Sequence, residues 1–262
     1  AALEAAKRNI TVDLFEKASV GEGICCGECI FDSLGVMPEP GEGLLHPVCE
    51  LVLKGRKAYT INISRHRKLW MVDRQTWQLG LAKTALARGV RIHEKIPVVP
   101  ARLLDMRREY DWIIDGSGAP SVASRAYHFS RNYCQDYLAA YQVVLKGDFS
   151  ALLPRIKVGF FTDVPPQLQP AYYWIFPKNA RQANVGVVCS VSRPTDRRKL
   201  NLKERLAEVL IEEKLTAAEV LHMGGGTASA RLLPKLVFDN ILLVGDAAGL
   251  TSALHGGGID LA

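Results

Sequence analysis

NILLVGDAAGLTSALHGGGIDLA, residues 240–262, changes character abruptly at one point. The run 241–244 carries no charge and suits a strand buried on both faces of a parallel sheet. Gly245 and Asp246 stand at its carboxyl end, followed by the small residues Ala247, Ala248 and Gly249. His255 then precedes three glycines, Gly256, Gly257 and Gly258. In open α/β sheets ligands gather at that end of the strands, and small residues let backbone N–H groups approach them closely. A carboxylate there accepts hydrogen bonds from the hydroxyls of a sugar or polyol. An ordinary strand, turn and helix start, with a helix getting under way at residue 262, accounts for the same letters.

Working outward, YDWIIDGSGAPSVASR at 110–125 repeats the pattern. A strand at 112–114 ends in Asp115, then come Gly116, Ser117 and Gly118 and a helix start. At the other end of the chain, 1–7 has helical composition, Asn9 is a stop, and a strand at 10–15 ends at Glu16 and Lys17. Helix, strand and terminal acid form the second half of a dinucleotide-binding βαβ unit, whose carboxylate meets a ribose. The first strand and its GxGxxG turn are missing from the sequence, so a longer protein truncated at both ends is expected. The fold class is α/β: a Rossmann-like cofactor domain with an inserted antiparallel sheet. The expected division is 1–130, first part of the cofactor domain; 131–232, sheet domain; and 233–262, return to the cofactor domain.

At 262 residues and 48% hydrophobic content the chain has ample core. No window is long and apolar enough for a membrane span and no signal peptide opens the sequence, so a soluble, cytoplasmic protein is expected. A formal charge of +6 suits an anionic partner, a nucleotide cofactor or an acidic lipid surface. Nucleic acid is disfavoured, because no basic stripe with interleaved aromatics is present.

GEGICCGECIFDSLG at 21–35 holds Cys25 and a CxxC of Cys26 and Cys29. A metal site needs a second ligand cluster, and Cys49, Cys134 and Cys189 stand apart. No metal is therefore expected, and a redox disulfide is favoured over one. Residues 50–64 read as a hairpin turning at Gly55, and RHRK at 65–68 as a solvated edge. A helix over 72–89 has Asp73 as N-cap, Trp77, Leu81, Ala85 and Leu86 on one face, and Gly89 as its end. Short strands are expected at 90–93 and 98–103. From 127 to 225 aromatic residues are dense, with strands at 137–145, 158–162, 172–176 and 183–190 and a helix at 201–213. In AYYWIFPKNARQANVGV, 171–187, Tyr172, Trp174 and Phe176 point to one face and Tyr173 and Ile175 to the other. One of these faces lines an apolar pocket.

These motifs, in this order, resemble the geranylgeranyl reductase branch of the para-hydroxybenzoate-hydroxylase-like flavoproteins, over nearly the whole chain. The resemblance implies FAD, with Glu16 and Lys17 at the adenosine ribose and Arg74 of the VDR segment beside the flavin. It places Asp115, Gly116 and Gly118 in one cofactor-facing turn. Gly245, Asp246 and Ala247 would hold the ribityl chain, and Gly256, Gly257 and Gly258 would lie against the isoalloxazine. Tyr172, Trp174, Phe176 and Pro177 would contact substrate. Cys26 is a catalytic candidate because the family places its Cys-Gly loop near the substrate, and His255 is one by its position beside the glycines. Cys29 departs from the family, where a small residue is typical. The implied activity is reduction of carbon–carbon double bonds in isoprenoid chains on lipids or pigment precursors, with NADPH or a ferredoxin as electron donor. A flavin monooxygenase or halogenase, an electron-transfer flavoprotein and an inactive fragment lacking FAD are the alternatives; YYWIFPK departs from the WxWxIP of halogenases. Arg193, Arg197, Arg198 and Lys199 face anionic lipid in a peripheral membrane contact, or else form a solvated turn.

Overall fold

The computed structural model describes residues 1–63, 68–192 and 201–261. The expectations for residues 65–67 and for Arg193, Arg197, Arg198 and Lys199 lie outside these. The chain opens with α1 (Ala2–Ala6) and, after Asn9 at a left-handed φ of 60°, β1 (Asp13–Phe15). Next come β2 (Cys29–Asp32), β3 (Leu44–Pro47), β4 (Glu50–Lys54), β5 (Ala58–Asn62) and β6 (Lys68–Val72). They lead into α2 (Arg74–Ala87), β7 (Arg91–His93), α3 (Pro100–Met106), β8 (Ile113–Asp115) and α4 (Val122–Ala126). The central stretch supplies β9 (Tyr137–Lys146), β10 (Arg155–Phe160), β11 (Ala171–Asn179), β12 (Gln182–Val191), α5 (Leu202–Glu212) and β13 (Glu219–Ser229). The described chain closes with β14 (Val237–Phe238) and β15 (Ile241–Leu243).

The parallel part of the α/β architecture is present in two pieces, β1 with β7 and β15 with β8. β14 adds an antiparallel edge to the second piece, so the sheet that ends in the Gly245–Asp246 turn is mixed rather than purely parallel. The large sheet has the order β13-β9-β12-β11-β10-β4-β5. It is antiparallel except that β4 runs parallel to β10, and it therefore takes the hairpin β4–β5 from well before residue 130. A smaller antiparallel sheet, β2-β6-β3, lies beside it.

Alternation sorts the large sheet into two faces, as the 172–176 pattern predicts. Val143, Leu145, Tyr173, Ile175, Val185 and Val187 pack beneath α5 through Leu206 and Val209. Leu138, Tyr172, Trp174 and Val188 form a second cluster on the opposite face. Glycines make room for the rings: a Cβ on Gly186 would stand 2.2 Å from the Trp174 indole, and one on Gly159 2.1 Å from the Tyr173 ring.

Two local expectations are corrected. Residues 98–103 are not a strand; Pro100 opens α3, where its missing N–H costs nothing in the first turn, and Leu103 and Met106 are buried by it. Asp73 caps α2 by accepting the Thr76 amide at 2.8 Å, but of the proposed inner face Leu81 and Leu86 are 41% and 55% exposed. Ala85 is buried and Trp77 half-buried, so α2 packs along a narrower stripe. The Gly245–Ala248 segment is one turn of 3-10 helix ended by Gly249 at φ 76°; the helix expected at residue 262 lies outside the described residues.

These contacts generate two tests of stability. A Cβ on Gly249 would lie 2.0 Å from the Arg231 carbonyl oxygen, so Gly249→Ala is expected to cost about 2 kcal/mol or more, read as a lower urea midpoint. Asp13 is held well below its ordinary carboxylate value of 3.8 by hydrogen bonds from Arg91 and His93. A depressed folded-state pKa stabilises the fold above the unfolded value and loses that contribution as pH falls; the stability gap between wild type and Asp13→Asn should persist from neutral pH to about pH 4 and close below it.

Candidate functional site

The Cys-Gly loop between β1 and β2 is the meeting point of motifs far apart in sequence. The Cys26 carbonyl accepts hydrogen bonds from the Gln142 and Asn184 side-chain amides, both at 3.1 Å. Asn184 in turn accepts the Trp174 indole N–H at 2.8 Å. Gly27 lies against the aromatic strand: a Cβ there would stand 3.2 Å from the Phe176 ring and 3.4 Å from Trp174 Nε1. The buried Glu28 accepts the Arg74 amide at 3.1 Å and pairs with Lys178 Nζ at 2.7 Å. Lys178 also lies 4.0 Å from Asp73. Thus the CGE, VDR and FPK segments close on one another, with Pro177 carrying the strand into Lys178 and its carbonyl 2.9 Å from His46 Nε2.

Arg74 sits inside this knot. Its Nη1 donates to Cys26 Sγ at 3.4 Å, its guanidinium lies 5.8 Å from the Trp77 ring centre, and its Nε is buried with no partner among the described residues. Cys26 Sγ also accepts the Glu28 amide at 3.3 Å. All six cysteines are free thiols, so the favoured CxxC disulfide is not formed. Burial pushes the Cys29 thiol up to about 12, assisted by Cys26, and raises Cys25 as well. Both are protonated at neutral pH and poor attacking groups for disulfide exchange.

The two aspartate turns differ. Asp115 is buried, and its oxygens accept from the Ser117 amide and hydroxyl at 2.9 and 2.6 Å and from the Ala123 amide at 2.7 Å. That carboxylate is occupied in shaping its turn and the start of α4, leaving Gly116 and Gly118 as the open positions; Gly118 has a φ of 88°. Asp246 is exposed. Its Oδ1 accepts the Thr251 hydroxyl at 3.0 Å, and its Oδ2 has no partner among the described residues. Tyr133 joins the two turns: it donates to the Ala247 carbonyl at 2.5 Å, and its hydroxyl oxygen lies 3.2 Å from Ser121 Oγ.

The glycine turn sits on the aromatic face of the large sheet. A Cβ on Gly256 would be 3.4 Å from the Tyr172 hydroxyl and 3.6 Å from Leu138. His255 packs edge-on to Phe31 with ring centres 5.4 Å apart, and its Nδ1 accepts the Gly257 amide at 3.1 Å. Crowding around the ring lowers its pKa, with Asp260 opposing, so the imidazole is neutral at neutral pH. Asp260 binds the Ser33 amide at 3.0 Å and also the Ser33 hydroxyl, fastening the turn to the end of β2. Glu16 stands apart at the end of β1, where Oε1 accepts the Ala18 amide at 3.0 Å; Lys17 is exposed.

Gln142, Asn184 and Lys178 were not among the expected site residues. Gln142 and Asn184 had a signal: each is a lone amide inside an apolar strand run, and such groups are buried only with a partner.

No family model matches the chain. It is 37% identical over 103 residues to digeranylgeranylglycerophospholipid reductase 3 of Methanosphaera stadtmanae, a stretch covering 39% of this chain and 25% of that protein. Over 294 residues it is 26% identical to the digeranylgeranylglycerophospholipid reductase of Methanosarcina acetivorans, covering 99% of the chain and 68% of the relative. The same-named protein of Methanocaldococcus jannaschii is 25% identical, with 100% and 70% covered. In fold, the chain matches a geranylgeranyl bacteriochlorophyll reductase-like protein of Thermoplasma acidophilum with TM-score 0.76 at 18% identity, covering 99% of this chain and 70% of that one. A halogenase solved with phloroglucinol and FAD gives TM-score 0.65 at 12% identity, covering 94% and 61%.

Breaking the buried pair tests the knot. Lys178→Met should destabilise by roughly 3 kcal/mol in urea unfolding because it strands Glu28, and adding Glu28→Gln should recover part of the loss.

Proposed function

We propose that the chain, similar over its whole length to archaeal digeranylgeranylglycerophospholipid reductases, is the larger part of an FAD-dependent reductase of isoprenoid carbon–carbon double bonds. The observation that carries this is the seating of the Gly256 turn on Tyr172 and Leu138. It brings a turn without side chains, whose Gly258 would place a Cβ 3.6 Å from Asp246 Oδ1, onto an aromatic sheet face.

The residues present fit FAD. Asp246 offers an oxygen without a partner among the described residues to the ribityl hydroxyls, and position 257 admits only glycine, because a Cβ there would meet the His255 ring at 2.6 Å. Arg74 offers a buried unpartnered Nε, and Glu16 a carboxylate suited to a ribose. Gly116 and Gly118 line the second turn, while Asp115 and Gly245 and Ala247 shape the two turns. When bound and reduced, FAD supplies the hydride that such a reduction needs.

The protein supplies the rest. Tyr172, Trp174 and Phe176 exclude water and hold a hydrocarbon chain without polar selection, with Pro177 next along their strand. Cys26 gives its proton to the alkene carbon that does not receive hydride, the Arg74 guanidinium stabilises the thiolate left behind, and solvent reprotonates it. His255, uncharged and already holding the Gly257 amide, positions the turn. Electrons arrive from NADPH or a ferredoxin-type carrier. No helix among the described residues is long and apolar enough to cross a membrane; peripheral contact with the lipid surface is part of the proposal.

Two measurements test this reading. The absorption spectrum of the full-length protein after removal of excess FAD should show a stoichiometric flavin, with Asp246→Ala weakening retention by about tenfold or more through a lost charged hydrogen bond. Cys26→Ser should keep the flavin and lose most anaerobic reduction of geranylgeranyl lipids; a fully active variant removes Cys26 from proton delivery. Oxygen-dependent hydroxylation or halogenation in place of alkene reduction would overturn the reductase assignment.

A further inference from the structure

The aromatic face does not stop at Trp174. Strand register places Tyr59, Leu53, Val158, Trp174, Gly186, Gln142 and Gly224 on one continuous rung across all seven strands. One step along, Phe160 pairs with Tyr172, and their ring centres are 5.9 Å apart. An apolar strip therefore runs from the Gly256 turn over Tyr172 and Phe160 to the edge hairpin β4–β5. There Tyr59 is 62% exposed, Ile61 43% and Phe160 40%, all on this same face.

At the tip of that hairpin the chemistry changes. A cavity of about 400 Å3 is lined by Leu53, Gly55, Arg56, Lys57, Tyr59 and Phe160, two cations and no acid. The neighbouring Lys54 is consumed by Glu212 and Glu213, at 2.6 and 3.1 Å on the α5 side. The side chains of Arg56 and Lys57 have no hydrogen-bond or ion-pair partner among the described residues. Two unpaired cations beside exposed aromatic and aliphatic side chains complement an amphiphile that is anionic at one end and hydrocarbon at the other.

We infer that this cavity is the anchoring subsite for the phosphate-ester headgroup of the lipid, from which the isoprenoid chain runs along the strip to the Gly256 turn. The inference rests on the isoprenoid reading above and adds to it a polar end, a direction and a distance. β5 and β11 are three strand spacings apart, roughly 14 Å, a span that a chain of several isoprene units bridges. The anchored end thereby selects which double bond lies at the turn.

The test compares geranyl phosphate, geraniol, decyl phosphate and inorganic phosphate by calorimetric titration of the full-length holoenzyme and its Arg56→Gln/Lys57→Gln variant. Both positions are exposed, and an unchanged thermal midpoint shows that the variant is folded. Affinity for geranyl phosphate should fall about tenfold or more in the variant, the loss of charged contacts, while that for geraniol stays constant. In turnover, KM for a phosphate-bearing geranylgeranyl lipid should rise with kcat unchanged. Equal binding of geranyl phosphate by both proteins overturns the subsite, as does inorganic phosphate binding as tightly as geranyl phosphate. Decyl phosphate binding that depends on Arg56 and Lys57, in a protein that reduces no prenyl lipid, would sink the reductase reading and leave the headgroup subsite standing.

Discussion

A single backbone carbonyl, that of Cys26, ties the loop to the sheet. It accepts the amides of Gln142 and Asn184, two polar side chains that the apolar face of the sheet could not otherwise hold without a large desolvation cost. Asn184 also satisfies the Trp174 indole. The loop can take only one position against the sheet if all these groups are to be paired, so the sheet specifies where the Cys26 thiol stands. From the other side, Glu28 holds the first residue of α2 and the end of β11 at once. Loop, helix and sheet thus share a small set of hydrogen bonds, and Arg74 reaches Cys26 as a consequence.

The two faces of the large sheet are closed differently. One face is closed by α5 and carries the Tyr173–Glu213–Lys157 contacts, in which Glu213 accepts the Tyr173 hydroxyl at 2.5 Å and is held below its ordinary pKa by its lysine and tyrosine donors against the cost of burial. The other face is covered by loops, the Cys-Gly segment and the glycine turn, and loops can admit a ligand where a packed helix cannot. Gly186 lets the Trp174 ring lie flat on its neighbour, which keeps that face smooth.

The two aspartate turns illustrate how far a motif carries an argument. Both end a short parallel strand with an acid and a glycine. In one, the carboxylate of Asp115 is spent on Ser117 and Ala123; in the other, Asp246 keeps an oxygen free. The difference lies in the segment that each strand runs into, a serine and a helix N-terminus in the first case and an open 3-10 turn in the second.

Local chemistry determined much of this protein from sequence alone. The acid-and-glycine strand ends, the Asp73 cap, the Gly55 hairpin and the two-faced Tyr172–Phe176 alternation are all set by neighbours within a few residues. What the sequence could not show were contacts made across long separations. Residues 98–103 read as a strand until the burial of Leu103 and Met106 makes Pro100 a helix start. Leu81 and Leu86 keep a helical spacing but find no neighbour to bury them. The parallel joining of β4 to β10, the pairing of Lys178 with Glu28 and the strip from Tyr172 to Arg56 depend on strands brought together from opposite parts of the chain. Pairing register is a property of the assembled sheet, and only the tertiary structure decided it.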